Sequence, residues 1–189
     1  MEITEALRLV VLYAHLLVSV FALQQVLSAD FKVLRHQLQA RDLVLVHGRV
    51  VWLLGGLWIT GLLLAGIDLQ FDAALLAAKP KLAAKLITVV VLTLNGILLR
   101  WWCFPRLTSR RRMNAFESSL VMALCATSTA SWLIAAFFGI AKPLQHWPLG
   151  SLLVLYVAVL AAAVAVSQVL SLRMRGPVQA ERSPLKTAM

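Results

Sequence analysis

The sequence predicts an all-α integral membrane protein, a five-helix transmembrane bundle with its N-terminus outside the cell and its C-terminus in the cytoplasm. Hydrophobic residues make up 61% of the 189 residues and charged residues only 14%, whereas a soluble domain is about half apolar and a quarter charged. Five apolar runs also reach the roughly 20 residues that a bilayer core requires. These long apolar runs argue against the alternative, a soluble bundle of buried helices.

The distribution of basic residues predicts the orientation of the chain. Its formal net charge is +10, which would suit a nucleic-acid partner if the charges formed one patch. They lie instead between the apolar runs, thirteen on one side of the predicted membrane and five on the other. Because basic residues concentrate on the cytoplasmic side, we expect the inner (plasma) membrane as location, the lipid bilayer as surroundings and no nucleic acid as partner.

The five spans are predicted at about 7–28, 48–67, 81–102, 117–140 and 149–172. Residues 1–172 then form one domain, and residues 173–189 form a polar cytoplasmic tail whose composition predicts disorder. The N-terminus has no basic region ahead of the first apolar run, so we expect this run to stay as a helix and not to be cleaved as a signal peptide. Residues 30–47 are amphipathic and basic, which predicts an interfacial or extended helix on the cytoplasmic surface.

Small and polar residues mark the faces on which the spans are expected to pack, because they allow close backbone approach and hydrogen bonds between helices. In the third span, Asn95 is expected to bond a neighbouring helix. On the first span, the packing face is formed by His15, Ser19, Ala22, Gln25 and Ala29, and on the second span by Gly48, Trp52, Gly55, Gly56 and Thr60.

Two titratable residues are the candidate site. Lys85 lies about four residues into the third span, and a charge inside a spanning helix is a functional candidate because it is costly to place there. His15 lies about seven residues into the first span, which runs in the same direction. At 1.5 Å per residue their depths differ by only about 5 Å. An imidazole and an amine at this depth could ligate or flank a haem, or His15 could bind a metal.

A purely structural explanation of the same residues stays open. His15 would then bond a helix neighbour, and Lys85 would extend towards the outer surface. His146, in the outer loop, is a possible second ligand on the same side, whereas His36 and His47 are expected to be solvated at the inner surface. Cys125 is expected to fill space as a small apolar residue.

The first three spans together resemble known protein families. The His-bearing first span, the basic inner loop, the Gly- and Trp-containing second span and the run KLAAKLITVVVLTLNGILLRWWCFPRL from Lys81 to Leu107 together resemble the copper-resistance protein D (CopD) family. The first three spans are also similar to the bacterial membrane protoporphyrinogen oxidase of the HemJ type, which has a haem-associated His in its first span and a Lys in its third. This resemblance implies a cofactor-binding role for His15 and Lys85.

The expected function is therefore that of a multi-pass membrane protein that binds haem b or copper, with His15 as ligand and Lys85 as its partner. Any reaction it catalysed would be an oxidation that draws electrons through the cofactor. The alternative is a cofactor-free membrane component, either a subunit or a small transporter. A homo-oligomer or a membrane-complex partner is compatible with both.

Overall fold

A computed structural model describes residues 3–34, 40–70, 72–103, 105–106 and 114–175 of the chain. Its five long helices are α1 (Ile3–Leu34), α2 (Ala40–Asp68), α3 (Pro80–Leu98), α4 (Ala115–Ile140) and α5 (Leu149–Arg175). All five contain a segment long and apolar enough to cross a membrane. The predicted all-helical, five-span fold is thereby confirmed, and the chain is a multi-pass membrane protein.

The first two helices are longer than a membrane requires. They have 32 and 29 residues, or about 48 and 44 Å at 1.5 Å per residue, against a hydrocarbon core of about 30 Å. Residues 30–34 continue α1 and residues 40–47 begin α2, so the described parts of 30–47 form extensions of the spans and no separate interfacial helix. The predicted tail begins within α5, which reaches Arg175, and residues 176–189 lie outside the described residues.

Polar pairs fix the register of the antiparallel helix pairs. Two pairs of polar residues link α4 to α5: the hydroxyls of Ser131 and Tyr156 are 2.8 Å apart, and the Gln168 amide donates to the Ser119 carbonyl at 3.0 Å. Along two antiparallel helices one residue number rises as the other falls, so pairs in the same register have the same sum of residue numbers. Both pairs here meet this condition. Such bonds are favoured in a bilayer because no water competes for the groups.

Trp132 of α4 belongs to a buried cluster in which residues of four helices meet. Its side chain is 5% exposed and packs in one cluster with residues of α1, α2 and α3, namely Ala22, Val26, Leu57 and Leu92. A second cluster joins α3, α4 and α5 around Phe138, Leu152 and Tyr156. Between apolar helices in lipid, close packing and hydrogen bonds take the place of a hydrophobic driving force, so these clusters define the interior.

The predicted packing face of α2 is wrong over half its length. Gly55 is exposed with no atom close to where a Cβ would lie, and Trp52 is 85% exposed. Gly56 does face α1, because a Cβ there would lie 3.4 Å from Val18 Cγ1. The reason is geometric. In a helix of 3.6 residues per turn, a side chain four residues further on points about 40° away from the first. Over the twelve residues from Gly48 to Thr60 the turn is about 120°, too much for one contact face.

Candidate functional site

His15 points from α1 towards α2. Its Nδ1 atom lies 2.8 Å from the hydroxyl oxygen of Thr60, and its ring is partly buried. The Ser19 hydroxyl donates to the His15 carbonyl at 2.7 Å and so lies on the same side of α1. This face packs as predicted: Ala22, one turn further on, is fully buried.

The hydroxyl of Thr60 determines which nitrogen of His15 carries the proton. Thr60 Oγ1 donates to the carbonyl of Gly56 at 2.8 Å, so its single hydrogen is used within α2. The oxygen can then only accept from the ring, which places a proton on Nδ1. In a neutral imidazole, the lone pair is then on Nε2. This nitrogen has no hydrogen-bond partner among the described residues and is the one available to a ligand.

Gly61 provides the space for the imidazole ring. A Cβ at this position would lie 3.4 Å from His15 Cε1 and 3.9 Å from Nδ1. Any side chain longer than a methyl group would therefore compete with the ring for the same space. Thr60 holds one edge of the ring and the bare backbone of Gly61 bounds another, so α2 both orients and accommodates His15.

Lys85 lies on α3 and is partly buried. Its charge is close enough to act on the His15 ring, and the charges of Lys81 and Asp68 act on it in turn. Across the described ranges, no group accepts a hydrogen bond from its amine or forms an ion pair with it. The hydrogen-bond partner of His15 is thus on α2 and not on α3, and the expected facing of His15 and Lys85 stays a prediction.

A group of charges lies at the N-terminal ends of α1 and α3 and at the C-terminal end of α2. Arg8 Nε donates to the carboxylate of Asp68 at 2.8 Å. Lys79 donates a hydrogen bond to the main-chain carbonyl of Asp68, the last residue of α2. Lys81 donates at 2.6 Å to the carbonyl of Ala141, the residue directly after α4. Counted along the helices, His15 lies about 10 Å below Arg8, and Lys85 about 6 Å below Lys81. The match in depth between His15 and Lys85, to about one turn, stays a prediction.

The remaining sequence-based candidates occupy separate places. Asn95 donates its amide to the Leu124 carbonyl of α4 at 3.1 Å, which confirms the expected interhelical bond. His146 is exposed at the end of a short 3₁₀ helix, Lys142–His146, and its role as a second ligand stays a prediction. Cys125 is partly buried and forms no disulfide, and His36 lies outside the described residues. Within the described ranges, no three His, Cys, Asp or Glu side chains come together as a metal site.

Sequence reasoning missed the part that α2 plays in the site, although a signal for it was present. Arg8 with Asp68, His15 with Thr60 and Val18 with Gly56 are pairs whose residue numbers have nearly the same sum. Arg8 near the start of α1 and Asp68 at the end of α2 have opposite charges. Pairing them would have set the register of α1 against α2. Thr60 would then have been placed opposite His15.

The chain was compared with family models, with curated proteins and with solved structures, and none of the three comparisons gave a match.

Proposed function

We propose that this membrane protein binds haem b, which His15 would hold through Nε2 and beside which Lys85 would supply a positive charge. The observation that carries the proposal is the bond between His15 Nδ1 and Thr60 Oγ1. Histidines that bind metals nearly always donate their second ring N–H to a fixed acceptor, which sets the tautomer and orients the ring. Thr60 supplies such an acceptor because its own hydrogen is given to Gly56.

The donor set favours haem over copper. A copper site usually takes three or more protein ligands, and the described residues offer no cluster of that size. Haem iron is held in its macrocycle and needs only one or two axial side chains. A single oriented histidine is therefore enough, and the resemblance to the HemJ-type proteins is consistent with this choice.

The roles of the chain's own residues follow from this proposal. His15 would hold the iron, Thr60 would fix the plane of the imidazole, and Gly61 would leave room for it. Lys85, whose charge acts on the His15 ring, would favour electron-rich states of the bound group. When bound, the haem supplies one-electron redox chemistry, and the protein supplies its position and its electrostatic surroundings.

The second candidate is the cofactor-free membrane component, a subunit or small transporter. One observation favours it: in the described part of the chain, no fully buried side-chain nitrogen or oxygen lacks a hydrogen-bond partner. The bond between His15 and Thr60 would then serve only to join α1 to α2.

An absorption spectrum separates the two functions. Protein produced in cells supplied with a haem precursor and purified in mild detergent should show a Soret band, which His15→Ala should abolish and Lys85→Arg should shift or weaken. His36→Ala is the matched control, because the sequence predicts this histidine at the opposite, inner surface of the membrane, and it should retain the band. Colourless wild-type protein, or a band that survives His15→Ala, would overturn the haem proposal; colourless protein would leave the cofactor-free component.

A further inference from the structure

Four cations lie at the outer ends of α1, α2 and α3, and three of them are compensated by the protein itself. Arg8 forms an ion pair with Asp68. Lys79 and Lys81 donate to carbonyls at the C-terminal ends of α2 and α4. The C-terminal end of a helix carries partial negative charge and carbonyls without helical partners, so a lysine there is stabilised.

Lys85 is the one cation of this group without such compensation. Among the described residues, the only carboxylate whose charge acts on Lys85 is that of Asp68, and that carboxylate is bonded to Arg8 at 2.8 Å. Lys81 lies one helical turn away from Lys85 and has the same charge, so it repels the Lys85 amine. No oxygen of the described residues accepts a hydrogen bond from the amine of Lys85.

The position of Lys85 makes this lack of compensation costly. It lies one turn inside a segment that crosses the membrane, Pro80–Cys103, and its side chain is partly buried. A charge in such surroundings is normally paired or bonded. Its amine has three donors, and Lys81 adds a second positive charge beside it. The surroundings thus suit an oxyanion, which could bond the Lys85 amine and compensate its charge.

We infer that Lys85, with Lys81 beside it, binds a phosphate or carboxylate group at the outer end of α3. Two sources could supply this chemistry, a lipid headgroup from the outer leaflet or a soluble anion that enters from outside. The inference does not rest on haem binding, because it depends on the charges of α1–α3 and not on the ligation of His15.

The test is the thermal unfolding midpoint of the purified protein in an uncharged detergent. One series adds inorganic phosphate, with chloride adjusted to hold ionic strength constant, and a second series adds a short-chain phosphatidylglycerol. At saturating anion we expect the midpoint to rise by about 5 °C or more. A rise with phosphate identifies a soluble anion as a sufficient ligand, whereas a rise with the lipid alone identifies the headgroup. No rise in either series overturns the inference.

Variants assign the effect to Lys85. Lys85→Gln removes the charge and should abolish the rise, whereas Lys142→Gln, at an exposed outer lysine, should retain it. Lys85→Met is the second variant, to be used if Lys85→Gln gives too little folded protein; it too should no longer respond to the anion. His15→Ala should retain the rise, which separates this site from the haem proposal. A rise that persists in Lys85→Gln and Lys85→Met would refute the assignment.

Discussion

His15 of α1 and Thr60 of α2 lie at the same depth, with Nδ1 and Oγ1 2.8 Å apart. Thr60→Val keeps the shape of the side chain but removes the acceptor, which leaves the His15 N–H unpaired. We expect a loss of about 1–3 kcal/mol, the usual cost of such a group. Thr60→Ser keeps the hydroxyl and should lose much less. The measurement is thermal unfolding of both variants in the same detergent, and equal stability of the two would show that the bond does not matter.

Two glycines of α2 form a matched pair for testing how closely α1 approaches. A Cβ at Gly61 would lie 3.4 Å from the His15 ring, whereas one at Gly55 would meet nothing within 4 Å. Gly61→Leu should therefore push the helices apart and lower the yield of folded protein, because small residues permit this contact. Gly55→Leu should behave like the wild type. The reverse order of yields in size-exclusion chromatography would mean that the other face of α2 packs on α1.

Trp132 and Trp52 differ in burial and allow a second comparison. Trp132 is 5% exposed among residues of α1, α2 and α3, while Trp52 is 85% exposed. Trp132→Ala should reduce stability by about 3–5 kcal/mol, as large-to-small changes in a packed interior do. Trp52→Ala should change it by less than about 1 kcal/mol, since it removes few protein contacts. Unfolding in a denaturing detergent measures both, and similar losses would argue against Trp132 as the centre of the bundle.

Asn95 tests the bond between α3 and α4. Its amide donates to the Leu124 carbonyl, and the residue is 4% exposed. Asn95→Leu should lower stability by about 0.5–2 kcal/mol, the range measured for single interhelical bonds in membranes. Leu94→Ala, one residue away on an exposed face, should have less effect under the same conditions. If Asn95→Leu is the more stable of the two, the bond contributes less than the apolar packing that replaces it.

The orientation of the chain rests on the distribution of basic residues alone. The thirteen-to-five asymmetry predicts a cytoplasmic C-terminus. A green fluorescent protein fused after Met189 should be fluorescent, because it folds in the cytoplasm, and an alkaline phosphatase fused there should be silent. Strong phosphatase activity would reverse the orientation and place the charges of the Arg8 and Lys85 end on the cytoplasmic side.

The sequence by itself determined the fold class and the position of the spans. Lipid solvates apolar side chains and no backbone group, so every long apolar run must be a helix that satisfies its own hydrogen bonds. That rule needs no knowledge of neighbours. The inward face of α1 was also predictable, because His15, Ser19 and Ala22 share one side at helical spacing.

The tertiary structure decided which faces meet. The small residues of α2 repeat nearly every fourth position, so they drift around the helix, and only contact with α1 selects Gly56, Thr60 and Gly61 over Gly55. Trp132 gave no signal in the sequence, because an apolar side chain in a spanning helix can face lipid or protein at similar cost. The position of the proton on His15 depends on the register between helices, and so does the lack of a hydrogen-bond partner for Lys85 among the described residues. Hydropathy cannot specify this register.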